Sequence, residues 1–599
     1  MSEITKLRTR EEIPEEYKWN IEKIYSSNEA WEEDFNKLKQ LAPKLSNYSG
    51  KLADPKELFN FLKAEEEVSR LAGKVFVFAH LRGDENTANT IYQTLKNKID
   101  PYLAEIGAYT AFFVPEILSL SDSYFEEAVK SVPELELYRF HIERIMKRKP
   151  HVLSKEEEKL LAAVSDCLEA PENIFRMLTD ADMTFPEIKD EKGNIVELTE
   201  VNYASFIRSK DRSVRKAAFE ALFGTYKKYV NTISTSLTSS IKNFAFVAKT
   251  KHYSSSVEAS LSPNDIPVEV YKNAVETINK NLPLLHRYVD VKKKLLNLPD
   301  MHMYDLYVPV IDIEKEHIEF EEAVKIVNEG LHPLGEEYLS IFNNGIKEGW
   351  IDVFENKGKR GGAYSWGSYD TMPYVLLNYN YDINDVSTLA HEMGHSLHSY
   401  YSRKTQPYIY GDYTLFCAEV ASTTNEALLI HHLINKEEDK KRRLYLINQE
   451  LEQIRTTVFR QLMFAEFELI THENIDKGIP LTGEDLCRIW HELNVKYFGP
   501  SMNVDEEIDM EWSRIPHFYS DFYVYQYATG YAAASAFARA ILKDGEPAVE
   551  KYKGFLKAGG SDYPINILKK AGVDMTTPAP LEATMARFKE LLDMLEKDM

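Results

Sequence analysis

"LAHEMGHSLH", residues 389–398, sets two histidines four positions apart with a glutamate directly after the first. The wider segment "NDVSTLAHEMGHSLHSYYS" carries Val386, Leu389, Ala390, Met393 and Leu397 at helical spacing. The pattern predicts an amphipathic helix, with Asn384 or Asp385 as its cap and Pro407 bounding it downstream. On such a helix His391 and His395 stand about 40° apart on one face, one turn from each other. Both imidazoles can then reach one tetrahedral metal, and zinc is the usual ion for nitrogen donors at this spacing. Glu392 points away from that line, beside the open position, where its carboxylate can take a proton from water. Gly394 leaves room beside the site.

The chain contains its own control. His472-Glu473 and His491-Glu492 are also His-Glu pairs, yet neither has a histidine four residues after the first. A catalytic zinc needs a third protein ligand and one open position. His398 is near the same face, but a helix cannot easily bend a third imidazole to the same ion from a turn further on. Position 401 is Tyr and position 398 is not Gly, so the longer HExxHxxGxxH pattern is absent. The remaining source is the next helix, "GDYTLFCAEVASTTNEALLIHHLI", which starts near Asp412. There Glu419 sits among Phe416, Cys417, Val420 and Ala421, 24 positions after His395. A carboxylate in apolar surroundings is costly unless paired or metal-bound, so Glu419 is the expected third ligand, with one zinc per chain. Glu426, seven residues on, is either a partner to a ligand histidine or a surface glutamate.

Around this centre the pattern is helical. "SSNEAWEEDFNKLKQLAPKL" offers Ser27 or Asn28 as a cap, and "DPKELFNFLKAEEEVSRLAGKVFVFAHLRG" offers Asp54 before Pro55. Ser154 and Glu157 form a capping-box pattern, and Asp265 precedes Pro267 at another helix start. Two stretches break the period. Apolar alternation around Lys192-Gly193-Asn194 predicts a hairpin, and "KGKRGGAYSWGSYDTMPYVLLNYNY" (357–381) predicts a short β-element before the histidine helix. The backbone of "GGAYSW" could accept an extended peptide as an added strand, or could be a buried brace. The expected fold is mainly α, with a soft boundary dividing an N-terminal helical region, 1–199, from a region 200–599 that carries the zinc helix.

Composition limits the partners. With 599 residues the chain can bury a large core, and a net charge of −23 disfavours general affinity for nucleic acid or anionic membranes. Cys167, Cys417 and Cys487 are too few and too far apart for a disulfide framework. The opening "MSEITKLRTREEIPEEYKWN" has no apolar signal core, and no apolar run spans a bilayer, so a cytoplasmic location is expected.

With these residues in place the sequence resembles the thimet oligopeptidase and neurolysin family of zinc peptidases, in its bacterial oligoendopeptidase F branch. The matching stretches are "GKRGGAYSWGSYDTMPYVLLNYN", "TLAHEMGHSLHSYYSRKTQPYIYGDYTLFCAEVASTTNE", "SRIPHFYSDFYVYQYATGYAAASAFA" and "KAGGSDYPINILKKAGVD". The resemblance implies an elongated, two-part helical fold split by a deep central channel, and endopeptidase action on short unstructured oligopeptides. It implies zinc held by His391, His395 and Glu419, with Glu392 as the base. Tyr519, Tyr523, Tyr527 and Tyr531 recur every four residues, so one helical face would carry four phenols, a stripe that by itself fits core packing. Beside a zinc site, hydroxyls and an imidazole can instead stabilise an oxyanion. By resemblance His517 and Tyr523 are the first candidates, with Tyr527 and Tyr531 next. Two rival readings stand: a carboxypeptidase on a similar helical zinc scaffold, and a non-catalytic peptide-binding scaffold with a structural metal.

Overall fold

The computed structural model describes residues 7–311, 313 and 316–599. The chain forms two compact units. Unit 1 comprises Met1–Lys149, Lys315–His432 and Phe537–Gly572; unit 2 comprises Pro150–Glu314, Leu433–Ala536 and Val573–Met599. These units do not follow a single cut near residue 200. That position lies inside unit 2, because each unit gathers three stretches separated in sequence.

Helices build nearly all of unit 1. Ser27 caps Asn28–Leu41 by accepting from the Ala30 amide, and Asp54 caps Pro55–Glu85 through the Lys56 amide. These two helices and Thr90–Thr110 enclose a core that includes Trp31, Phe35, Phe61, Phe78 and Ile99. Trp31 and Phe35 stack with centroids 5.2 Å apart, and the Trp31 indole donates to the Val75 carbonyl at 2.8 Å. A polar tip inside an apolar core costs little once it has such a partner.

The β-element expected before the histidine helix is a three-stranded sheet in the order Ile351–Asp352, Tyr374–Leu376, Tyr364–Trp366. The first two strands run parallel (Ile351 opposite Val375), and the last pair antiparallel (Ser365 opposite Val375). The middle strand is fully buried, as a strand covered on both faces should be. A buried charge network pins its neighbour. Asp352 lies 2.7 Å from Lys359 and 2.5 Å from Arg10, and Arg10 also meets Glu85 at 3.1 Å. Burial alone would raise the Asp352 pKa, but the Lys359 and Arg10 cations outweigh it and hold the carboxyl below its ordinary range.

The histidine helix spans Ile383–Thr405 and packs on the helices Phe320–Leu331 and Glu546–Ala558. Its cap is Asp382, two residues before Asn384 and three before Asp385. The Asp382 carboxylate accepts from the Asn384 and Asp385 amides, and Asp385 closes the box from the N3 position.

In unit 2, Lys155–Met177 packs on Val230–Thr250, and Val268–Leu295 packs on Gly483–Phe498 and Ala579–Asp598. Ser154 and Glu157 make the predicted capping box. The hairpin pairs Glu187–Lys189 with Ile195–Glu197, and Gly193 takes a φ of +82° in the turn. Asp265 does not cap the helix at Val268: it sits in a left-handed turn (φ +51°), and Pro267 is the flanking residue. Among the described residues no single helix is long and apolar enough to cross a membrane.

Candidate metal centre

Two helices build the centre, the histidine helix and Leu415–Lys436, whose Glu419 and Glu426 both lie in unit 1. Their close approach is encoded in small residues. A Cβ on Gly394 would lie 2.6 Å from the Ser422 Cα and 2.9 Å from the Ala421 carbonyl oxygen. The room beside Gly394 is therefore occupied by backbone of the partner helix. Asn425 locks the register, donating from Nδ2 to the Ala390 carbonyl at 3.0 Å while accepting from the Tyr338 hydroxyl at 2.8 Å. Ser422, Thr424 and Asn425 are all wholly buried. Sequence periodicity did not single out these contacts; the run "ASTTNEA" was the available signal, since small polar residues on a buried helix face let backbones approach.

His391 Nε2 and His395 Nε2 each lie 3.5 Å from the same Glu419 oxygen. One ligand atom from each of the three residues falls within 4.8 Å of the others, and they form the only such group of His, Cys, Asp or Glu side chains among the described residues. Glu419 is half-exposed, not enclosed by Phe416, Cys417 and Val420, which are themselves buried. The carboxylate leaves that apolar helix face and turns toward the imidazoles. A hydrogen bond from His395 is the largest influence on it, and with the two imidazoles it lowers the pKa to about 2 against the opposing effect of burial.

Glu426 is a partner to a histidine of this group. Its Oε2 lies 3.1 Å from His391 Nδ1, which directs Nε2 toward the centre. Burial acts to lower the His391 pKa, but the Glu426 hydrogen bond and the charges of Glu426, Glu392 and Glu419 raise it to about 9. This concentration of negative charge also favours a divalent cation. Glu392 is buried, and burial raises its pKa against the opposing pull of His391 and His395. A proton-transfer group with a carboxyl pKa above normal is suited to work near neutrality.

His398 is outside this group, as expected. It is buried, stacks on Tyr413 at 3.6 Å, and burial lowers its pKa to about 3. Tyr413 in turn bonds Ser399 at 2.9 Å. Cys417, two residues from Glu419, is buried with its thiol pushed up to about 12, which makes it unreactive. The strand Tyr364–Trp366 is an edge strand joined to the histidine helix through a 2.8 Å bond between the Ser365 and Ser396 hydroxyls.

His517, Tyr523, Tyr527 and Tyr531 belong to unit 2. They do not form one helical face. Tyr519 ends a short 3-10 turn, Tyr523 lies in an irregular segment, and only Tyr527 and Tyr531 are on the helix Tyr525–Asp544. Tyr519 and Tyr531 are buried, Tyr519 against Phe175 at 4.7 Å. His517, Tyr523 and Tyr527 do come together: the His517 ring is 6.1 Å from each tyrosine ring, and the two tyrosine rings are 5.5 Å apart.

Comparison with known proteins gives a consistent picture. The profile of Peptidase family M3 matches residues 205–587, and that of Oligopeptidase F matches 116–185. The chain is 50% identical to Oligopeptidase PepF of Bacillus subtilis strain 168 over 592 residues, covering 99% of this chain and 88% of that protein. It is 42% identical to Group B oligopeptidase PepB of Streptococcus agalactiae serotype III, covering 98% of each. The crystal structure of oligoendopeptidase-F from Enterococcus faecium is similar with a TM-score of 0.73 and 39% identity, covering 95% of this chain and 99% of that one.

Proposed function

The chain belongs to Peptidase family M3, and from that premise we propose that it is a zinc-dependent endopeptidase that cuts short unstructured oligopeptides, with Glu392 as general base. The observation that carries this reading is the convergence of His391, His395 and Glu419 beside Glu392. Three ligand atoms of the N, N, O type with one position left over suit a catalytic zinc, whereas closed structural sites use four protein ligands. The residues present fit that ion, and Glu426 supplies the outer hydrogen bond that fixes the His391 ring.

When bound, a divalent ion here supplies Lewis-acid activation of water and of the scissile carbonyl. The protein's side chains do the rest. Glu392 accepts the proton as water attacks, then delivers it to the leaving amine. His517 and Tyr523 are assigned to the oxyanion as hydrogen-bond donors, with Tyr527 and Tyr531 in support; the resemblance and the packing of the first three around one another support this. The edge strand Tyr364–Trp366 is assigned to the peptide backbone, which it can pair as an added strand. Three free, widely separated cysteines support a reducing, cytoplasmic setting.

The test is a fluorogenic peptide blocked at both termini. The wild-type enzyme cuts it at an internal bond, and Glu392→Gln keeps its zinc while turnover falls by about 10²–10⁴-fold. Failure to cut any doubly blocked peptide, with cutting of a free C-terminus, would establish the carboxypeptidase alternative.

A further inference from the structure

The segment that carries His517 and Tyr523 is docked onto one face of the helix Arg460–Asp476 in unit 2. Two phenylalanines fix it. Phe518 is buried against Phe464 (5.5 Å) and Phe467 (5.1 Å), and Phe522 is buried against His472 (4.4 Å) and Tyr271 (5.4 Å). Between these anchors the backbone makes successive tight turns, Ser520 amide to His517 carbonyl at 2.9 Å and Tyr523 amide to Ser520 carbonyl at 3.0 Å. Phe522 has a φ of +59°, a left-handed conformation that a bulky residue keeps only where its surroundings enforce it.

A buried carboxyl contacts the backbone of this turn. Glu468 is 2% exposed, and its Oε1 accepts from the Phe522 amide at 3.0 Å. Its other oxygen, Oε2, is buried with no hydrogen-bond partner. Among the described residues no cation is among the groups that act on it; Asp521 and the buried Tyr271 are the titratable groups coupled to it, and Asp521 lies 3.4 Å from the buried His472 ring. Burial raises the Glu468 pKa well above the carboxylate range. A charged carboxylate would be expensive here without a cation, whereas a neutral acid accepting one amide hydrogen is affordable. A neutral acid and an amide are also nearly isosteric, which makes the role separable by substitution.

We propose that Glu468 is a positioning residue for the reaction: by accepting the Phe522 amide it holds the left-handed turn that places the next residue, Tyr523, toward His517 and Tyr527. It touches no reacting atom and acts only through that turn. The inference rests on the reading of Tyr523 as an oxyanion donor, and the experiment separates the two. Four variants are compared by kcat and KM on the blocked peptide: Tyr523→Phe, Glu468→Leu, Glu468→Gln and the double variant Glu468→Leu with Tyr523→Phe. Tyr523→Phe should lower kcat by at least ten-fold. Glu468→Leu should lower kcat roughly ten-fold with KM changed less than three-fold, and Glu468→Gln should restore kcat to within two-fold. In the Tyr523→Phe background Glu468→Leu should cost less than a further two-fold, because its effect runs through that hydroxyl. Full activity of Tyr523→Phe would remove the premise. A loss in Tyr523→Phe with no loss in a folded Glu468→Leu, or equal losses for Glu468→Leu in both backgrounds, would overturn the inference itself. Hydrogen exchange on the wild-type enzyme provides a check that needs no variant. The Phe522 amide should exchange at least 100-fold more slowly than an unprotected amide, and rapid exchange would also overturn the proposal.

Discussion

At the scale of single residues the centre depends on contacts one hydrogen bond away from His391, His395 and Glu419. Glu426 bonds His391 Nδ1 and so decides which nitrogen faces the centre. Glu426→Gln keeps a hydrogen-bonding group but loses the charge, and zinc affinity should fall roughly 10–100-fold in competition with a chromogenic chelator. An unchanged affinity would mean that Glu426 is only a neighbour. Gly394 is a stricter case. A methyl group there meets backbone of the facing helix at 2.6 Å, and backbone cannot rotate aside as a side chain can. Gly394→Ala should cost about 1–3 kcal/mol in urea unfolding. It should also weaken zinc binding, because Ser422, which the methyl would displace, lies three residues after Glu419. A variant with wild-type midpoint and zinc affinity would show that the helices can part without consequence.

At the scale of elements, sequence periodicity and structure agree best where one helix face must be apolar. The histidine helix, the Asp54 and Ser154 caps and the hairpin at Gly193 were all legible, because each is specified by residues within a turn of itself. The cap at Asp382 was missed because Asp382, Asn384 and Asp385 are all competent, and only the backbone geometry decides among them. The tyrosine spacing misled for a related reason. A repeat of four fits a helix, but Phe522 turns left-handed at the position where that helix would have to be continuous. The cost of that turn is visible in its titratable support. Burial raises Asp521 to about 8, with Glu172 adding to it, and burial lowers the facing His472 to about 3, so the pair is held as neutral acid and neutral imidazole. A carboxyl whose folded pKa exceeds its unfolded value binds more protons when folded, so its own contribution to stability falls as pH rises from about 4 to about 8; His472, lowered on folding, pulls the other way below about pH 6.5 in wild type and variant alike. Asp521→Asn removes that dependence. In urea melts across this range the wild-type enzyme should lose more stability than the variant, the gap opening toward pH 8. Parallel curves would show that Asp521 is ionised in the folded protein.

At the scale of the whole molecule the open question is what the metal does for the fold. Unit 1 buries a core running from Tyr25 to Ile145 that shares no residue with His391, His395 or Glu419. Small domains that depend on a structural metal lack such a core, and for them binding energy is folding energy. Here the ion should add only mass-action stabilisation, about 2.7 kcal/mol when free zinc is 100 times its Kd. Treatment with a chelator should therefore abolish cleavage and lower the thermal midpoint by a few degrees. It should leave far-ultraviolet circular dichroism at 25 °C unchanged, since the helices are held by their own packing. Added zinc should restore both activity and midpoint. The alternative of a scaffold organised by a structural metal predicts the opposite order of events: helical signal lost on chelation at 25 °C, and no peptide turnover before or after zinc is returned. The two readings thus part on one titration, because a metal that serves chemistry can be removed from a folded molecule and a metal that serves folding cannot.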